Sequence, residues 1–179
     1  MSHSAELAGK AVLITGAAGC IGAWVVKQLC ELGATPVVFD IAENRERLHL
    51  IMPDAESVTW ELGDITDFER LLEVAETHNI EAIIHLAALQ VPFCKADPIG
   101  STRINVMGSI HMLELARQRG ITRMSYASSV AAPAMGDNDW LATLYGAHKI
   151  CGEQMAAVYW QDWGVPSIGI RPAIIYGPG

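Results

Sequence analysis

The chain has 179 residues, 51% of them hydrophobic, and a net charge of −8. That length is one domain's worth, the apolar fraction is ample for a core, and the acidic balance argues against nucleic-acid binding. No apolar run reaches the roughly 18 residues of a membrane span, residues 1–10 carry no signal-peptide apolar stretch, and Cys20, Cys30, Cys94 and Cys151 form neither a C-x-x-C pair nor a metal-like cluster with histidine. Reduced thiols, no metal, no membrane contact and a cytoplasmic location are therefore expected.

In chain order, residues 11–15 are a short apolar run that reads as a buried strand. Gly16, Gly19 and Gly22 follow in G-x-x-G-x-x-G spacing, with Cys20 and Ile21 between the last two. Ile21, Val25, Leu29 and Leu32 then recur at helical spacing over 20–32, and Gly33 is placed to end that helix. Strand, glycine turn and helix in this order make a phosphate site. The backbone can approach a pyrophosphate where no Cβ intervenes, and the helix N-terminus offers N–H groups and positive potential. The next strand, 35–40, ends in Asp40, eighteen residues after Gly22, where a carboxylate accepts hydrogen bonds from an adenosine ribose. A carboxylate there repels a 2′-phosphate, so NAD is expected over NADP. Arg45 and Arg47 read as solvent-facing residues at the next helix start.

Helices are predicted near 44–50, 67–78, 98–119 and 143–163, and strands near 57–62, 81–86, 122–127 and 165–170. Thr66 and Glu69 read as a capping box for the helix at 67–78. Alternation with short loops predicts an α/β fold: a doubly wound parallel sheet, strand order 3-2-1-4-5-6, with ligands at the carboxyl ends of the strands. Gly16, Asp40, Asp64, Ala87, Ser129 and Arg171 all fall at or just after those ends.

Tyr145 and Lys149 are four apart on the predicted helix 143–163 and share a face. A free tyrosine has a pKa of about 10, and bringing it to about 7 takes roughly 4 kcal/mol. A neighbouring ammonium favours the phenolate, and a positively charged nicotinamide ring favours it further.

Thr15 through Gly22 together with the Tyr145-x-x-x-Lys149 pair resembles the extended short-chain dehydrogenase/reductase family, which includes nucleotide-sugar epimerases and dehydratases. The resemblance runs along nearly the whole chain and implies a Rossmann domain over 1–179 that binds NAD. Gly63 to Asp67 is similar to the family's adenine-binding turn, with Asp64 and Ile65 at the contact positions. His85 to Ala88 resembles the loop lining the cofactor, which brings in Leu86, Ala87 and Ala88. Asn105 to Ser109 resembles its N-V-x-G-[ST] helix segment and places Asn105 among the cofactor residues. Ser128 and Ser129 resemble the serine-bearing end of the fifth strand, with Ser129 at the catalytic Ser/Thr position. Arg171 to Pro178 resembles the segment that passes the nicotinamide, which adds Pro172. The resemblance implies Tyr145 as proton exchanger, Lys149 as its tuner and ribose ligand, and Ser129 as donor to the reacting oxygen.

Three departures bear on function. Family members continue for a hundred residues or more past this segment, so the C-terminal substrate-binding part is expected to be absent or truncated. Ile174 stands where nucleotide-sugar enzymes have an Asn. Val130 and Ala131 stand where sugar dehydratases have an Asp-Glu pair, and no carboxylate follows until Asp137, which argues against a 4,6-dehydratase. The expected function is an NAD-dependent oxidoreductase or epimerase acting on a secondary alcohol or carbonyl of a small molecule, with a nucleotide sugar as one candidate substrate. The alternative is a non-catalytic NAD-binding sensor or regulatory module. His85 reads equally as a packed histidine or a site residue, and His148 as a bystander. Asn105 reads as a tie within the helix backbone, with a catalytic-water role as the alternative. Apolar residues on 98–119 (Ile104, Ile110, Met112, Leu113, Leu115) and on 143–163 (Met155, Val158, Tyr159, Trp160) exceed what one sheet face covers, and related enzymes pair these helices, so a homodimer is expected.

Overall fold

A computed structural model describes residues 4–133 and 142–178. Six strands, β1 (Ala11–Thr15), β2 (Thr35–Asp40), β3 (Thr59–Leu62), β4 (Ala82–His85), β5 (Met124–Ala127) and β6 (Ile168–Ile170), form one parallel sheet in the order β3-β2-β1-β4-β5-β6. The helices are α1 (Ser4–Leu7), α2 (Cys20–Glu31), α3 (Glu46–Ile51), α4 (Phe68–Thr77), α5 (Val91–Ala96), α6 (Pro98–Thr102), α7 (Gly108–Arg119) and α8 (Leu144–Trp163). A π-helical turn, Arg103–Met107, joins α6 to α7.

Strand alternation sorts the apolar residues into two cores. Val12, Ile14 and Val38 face α2 and α3 with Val26, Leu29 and Leu48. Leu13, Val37, Phe39 and Ile83 face α4, α7 and α8 with Leu71, Met112, Leu115 and Tyr159. Both faces of β1 and β2 are thus buried, which is why their sequences run apolar without a polar alternate. The far half of the sheet is barer. Between α2 and the β4-β5-β6 side lies an apolar groove of about 600 Å³, lined by Trp24, Val25, Ile84, Tyr126, Ile170 and Tyr176.

Several boundaries differ from the sequence expectation. The cap of α4 is Asp67, which accepts from the Arg70 N–H at 3.1 Å. Thr66 instead donates its hydroxyl to Asp64 at 2.8 Å, so the expected capping box does not form. The segment predicted as one helix from 98 is α6, the π turn and α7, and α5 precedes it unforeseen. Strand β3 starts at Thr59 because residues 55–57 wind into a short 3-10 turn. Strand β6 starts at Ile168 because Val165 closes α8, its N–H reaching Tyr159 O at 3.2 Å beyond a left-handed Gly164.

Candidate active site

The carboxyl ends of the strands open into a cleft of about 650 Å³, a size typical of small-ligand sites. Its floor is the glycine turn. Gly16 has φ +76°, and a Cβ there would lie 2.7 Å from Ala87 N. A Cβ on Gly22 would meet Ala17 Cα at 2.5 Å. Packing therefore demands glycine at 16 and 22. Gly19, the N-cap of α2, is different: a Cβ there meets only Gly16 O, at 3.3 Å. Gly19 lines the cleft, so the chain's own crowding does not demand glycine there, and the helix N-terminus is left open to close approach. The residues present fit a dinucleotide.

Asp40 ends β2 on the cleft wall, its Oδ1 accepting from the Ile41 N–H at 2.9 Å. Burial pushes its carboxyl up from the usual range, against the opposing influence of the Ile41 and Ala18 backbone. Arg45 is not solvent-facing as expected. It is bound to Ala55 O at 2.6 Å and to Glu43 and stacks over Trp60, and neither it nor Arg47 lines the cleft. Cys20, Ile21, Asp64, Ile65, Leu86, Ala87, Ala88 and Pro172 all line it.

Thr143 caps α8 by accepting from the Gly146 N–H at 3.0 Å. Tyr145 and Lys149 reach the cleft from this helix and Ser129 from the end of β5. Ser129 stands close enough to the Tyr145 hydroxyl to favour its phenolate. The Lys149 ammonium lies 5.5 Å from the Tyr145 ring centroid and donates to Ala127 O at 2.6 Å. Burial brings Lys149 down to about 8. Contrary to expectation, the Tyr145 phenol is pushed up from its ordinary value: burial outweighs the opposing influence of Ser129. The reason is geometric. The ammonium sits over the ring and is engaged by a carbonyl, so it stabilises the phenolate oxygen little.

Asn105 does not line the cleft. Its Oδ1 accepts from the Leu89 N–H at 2.7 Å and its Nδ2 donates to Leu89 O at 2.8 Å, so it ties the wall loop by its backbone. His85 is buried between Thr15 Oγ1 at 2.7 Å and Ser109 Oγ at 3.2 Å. Burial, with Lys149 nearby, holds it down to about 3, a neutral packed histidine. Ser128 donates to Glu153, which also takes Arg171 Nε at 2.7 Å. Glu153 was missed, although it lies one helical step beyond Lys149 in the series 145, 149, 153. Asp137 lies outside the described residues. Among the described residues no helix is long and apolar enough to cross a membrane.

A model of the NAD dependent epimerase/dehydratase family matches residues 12–179. The chain belongs to that family. It is 34% identical to a UDP-glucose 4-epimerase of Rhizobium leguminosarum bv. trifolii, covering 92% of this chain and 52% of that protein. Among solved structures it is similar to the L-threonine dehydrogenase of Clostridium difficile, with TM-score 0.77, 31% identity, and coverage of 92% of this chain and 53% of the other. It is also similar to the UDP-glucose 4-epimerase of Brucella ovis in complex with NAD, with TM-score 0.75, 30% identity, and coverage of 91% and 51%. The chain thus spans about half the length of these relatives.

Proposed function

We propose that the chain binds NAD in this cleft and forms the cofactor half of an oxidoreductase or epimerase that moves a hydride at a secondary alcohol or its carbonyl. What carries the reading is the convergence of Ser129, Tyr145 and Lys149 on the cleft that also holds the glycine turn and Asp40. In this reading Gly16, Gly19, Cys20, Ile21 and Gly22 hold the pyrophosphate and Asp40 the adenosine ribose. Asp64 and Ile65 flank the adenine. Leu86, Ala87, Ala88 and Pro172 form the walls, and Lys149 binds the nicotinamide ribose.

The nicotinamide, when bound, accepts or returns the hydride. Tyr145 moves the proton. As a phenol it gives one to a carbonyl being reduced, and as a phenolate it takes one from an alcohol being oxidised. Ser129 orients that hydroxyl and donates to the reacting oxygen. Lys149, mostly protonated at neutral pH with a pKa of about 8, holds its charge over the Tyr145 ring rather than at the phenol oxygen, so its part in this reading is the nicotinamide ribose. The relatives' names support reaction at a hydroxyl-bearing carbon. Ile174 on the cleft wall, in place of Asn, gives no support to a substrate diphosphate contact there. UDP-glucose and L-threonine are the first two arms of a substrate panel.

The test is Tyr145→Phe. NAD affinity should stay within about twofold, while turnover on a substrate found by the panel falls about 10²–10⁴-fold. A variant that keeps most of its turnover would remove Tyr145 from the role.

A further inference from the structure

His148 lies between the two catalytic positions of α8 in sequence but turns away from the cleft. It is buried and meets residues from three other segments. Its Nδ1 is 3.2 Å from Asn105 Nδ2 and 4.0 Å from Cys94 Sγ, and its Nε2 is 3.0 Å from Thr102 Oγ1. Donor and acceptor counts fix the protonation. Asn105 Oδ1 takes the Leu89 N–H, so Nδ2 must be the amide group that faces Leu89 O and His148. An amide NH₂ only donates, so His148 Nδ1 must accept. The Thr102 hydroxyl proton goes to Pro98 O at 2.7 Å, which leaves its oxygen free to accept from His148 Nε2–H. Every polar atom in the cluster then has a partner, and Cys94 adds its S–H to Leu89 O at 3.2 Å.

We infer that His148, as the neutral Nε2–H tautomer, is a positioning residue that locks the Asn105 amide onto the Leu89 backbone and so couples the cleft-wall loop 86–90 to the helix carrying Tyr145 and Lys149. Leu89 and Gln90 line the cleft, as do Tyr145 and Lys149 of the helix that carries His148. A flipped Asn105 would set its NH₂ against the Leu89 N–H and its oxygen against Leu89 O, and the loop would lose both ties. As the Nε2–H tautomer His148 adds a third tie to the observed orientation, since its Nδ1 offers an acceptor to Nδ2. Protonating Nδ1 would set donor against donor and remove the lock. Burial disfavours that charge, as does Lys149 on α8. Cys94 from α5 is the other titratable group facing the ring, while α6 and the π turn face it with the uncharged Thr102 and Asn105.

The test uses the whole chain, with ¹⁵N NMR of the imidazole, amide hydrogen exchange and NAD titration. In the unmodified chain at pH 7, His148 should show an unprotonated Nδ1 and a protonated Nε2. His148→Phe keeps the ring volume but removes both nitrogens, and Leu89 amide exchange should quicken about 3- to 10-fold, the worth of one buried hydrogen bond. His148→Gln, which can return an acceptor, should recover part of that protection. Asn105→Asp puts an acceptor opposite Nδ1 and should raise the His148 pKa, an effect packing alone does not produce. The NAD arm rests on the function proposed above: His148→Phe should weaken NAD by a similar factor. An Nδ1–H tautomer, unchanged Leu89 exchange in a folded His148→Phe, or an unmoved His148 pKa in Asn105→Asp would each overturn the inference. If the unmodified chain binds no NAD, the functional reading fails while the tautomer, exchange and pKa results still judge His148. Should His148→Phe not fold, Asn105→Asp decides.

Discussion

At the scale of single residues, two carboxylate and histidine environments give measurable expectations. Asp40 stands on the cleft wall with neither Arg45 nor Arg47 beside it there, so NAD should bind more tightly than NADP, and Asp40→Ala should narrow the gap. Calorimetry showing equal affinities in the unmodified chain would defeat the role given to Asp40. His85 bears on acid stability. Its folded pKa of about 3 lies below the ordinary value of 6.5, so the unfolded chain takes up this proton first. The stabilisation is complete above 6.5 and is lost as pH falls towards 3, at up to about tenfold in the folding constant per pH unit. His85→Gln should flatten denaturant-midpoint curves between pH 6 and 4 relative to the unmodified chain; parallel curves would contradict the assignment. Gly16, Asp40, Asp64, Ala87 and Ser129 were legible because they follow strand ends, and Tyr145 and Lys149 because they stand four apart on one helix. His148 was not. Its partners come from α5, α6 and the π turn, and helical periodicity on its own segment carries no trace of them. Tyr145 shows the same limit: sequence spacing placed the ammonium near the phenol, but only geometry shows that burial dominates.

At the scale of elements, the glycine turn separates two demands that one motif conceals. Gly22→Ala forces a Cβ against Ala17 Cα at 2.5 Å and should lower stability by about 1–3 kcal/mol, as overpacking does. Gly19→Ala meets only Gly16 O at 3.3 Å, so it should fold normally and lose dinucleotide affinity instead. Thermal melts paired with NAD titration check both; a Gly19→Ala chain with unaltered affinity would argue against a pyrophosphate at α2. Strand order was readable because alternation and short connections leave few parallel arrangements. The path from 91 to 107 was not. Pro92 and Pro98 punctuate it, yet proline is tolerated in the first turn of a helix, and here each sits in the opening turn of its own short helix.

At the scale of the whole molecule, the residues expected to mark a dimer divide three ways, with Ile104, Ile110 and Met155 half-buried against the core. Met112, Leu113, Leu115 and Tyr159 are buried in the chain's own core. Val158 and Trp160 are exposed, along with Met107 and Trp163. The apolar surplus on α7 and α8 is therefore smaller than the sequence implied, because the sheet face covers more of it. A homodimer through the remaining side chains is still the proposal, and light scattering at micromolar concentration checks it: a mass near 19.3 kDa would exclude the dimer. The bare half of the sheet has a separate consequence. A groove walled by Trp24, Val25, Ile84, Tyr126 and Ile170 is a ready host for an amphiphilic fluorophore. The chain should brighten an anilinonaphthalene dye while its near-ultraviolet dichroism stays native-like. Dye fluorescence, commonly read as the mark of a loosened, partly folded state, would here report a well-ordered surface.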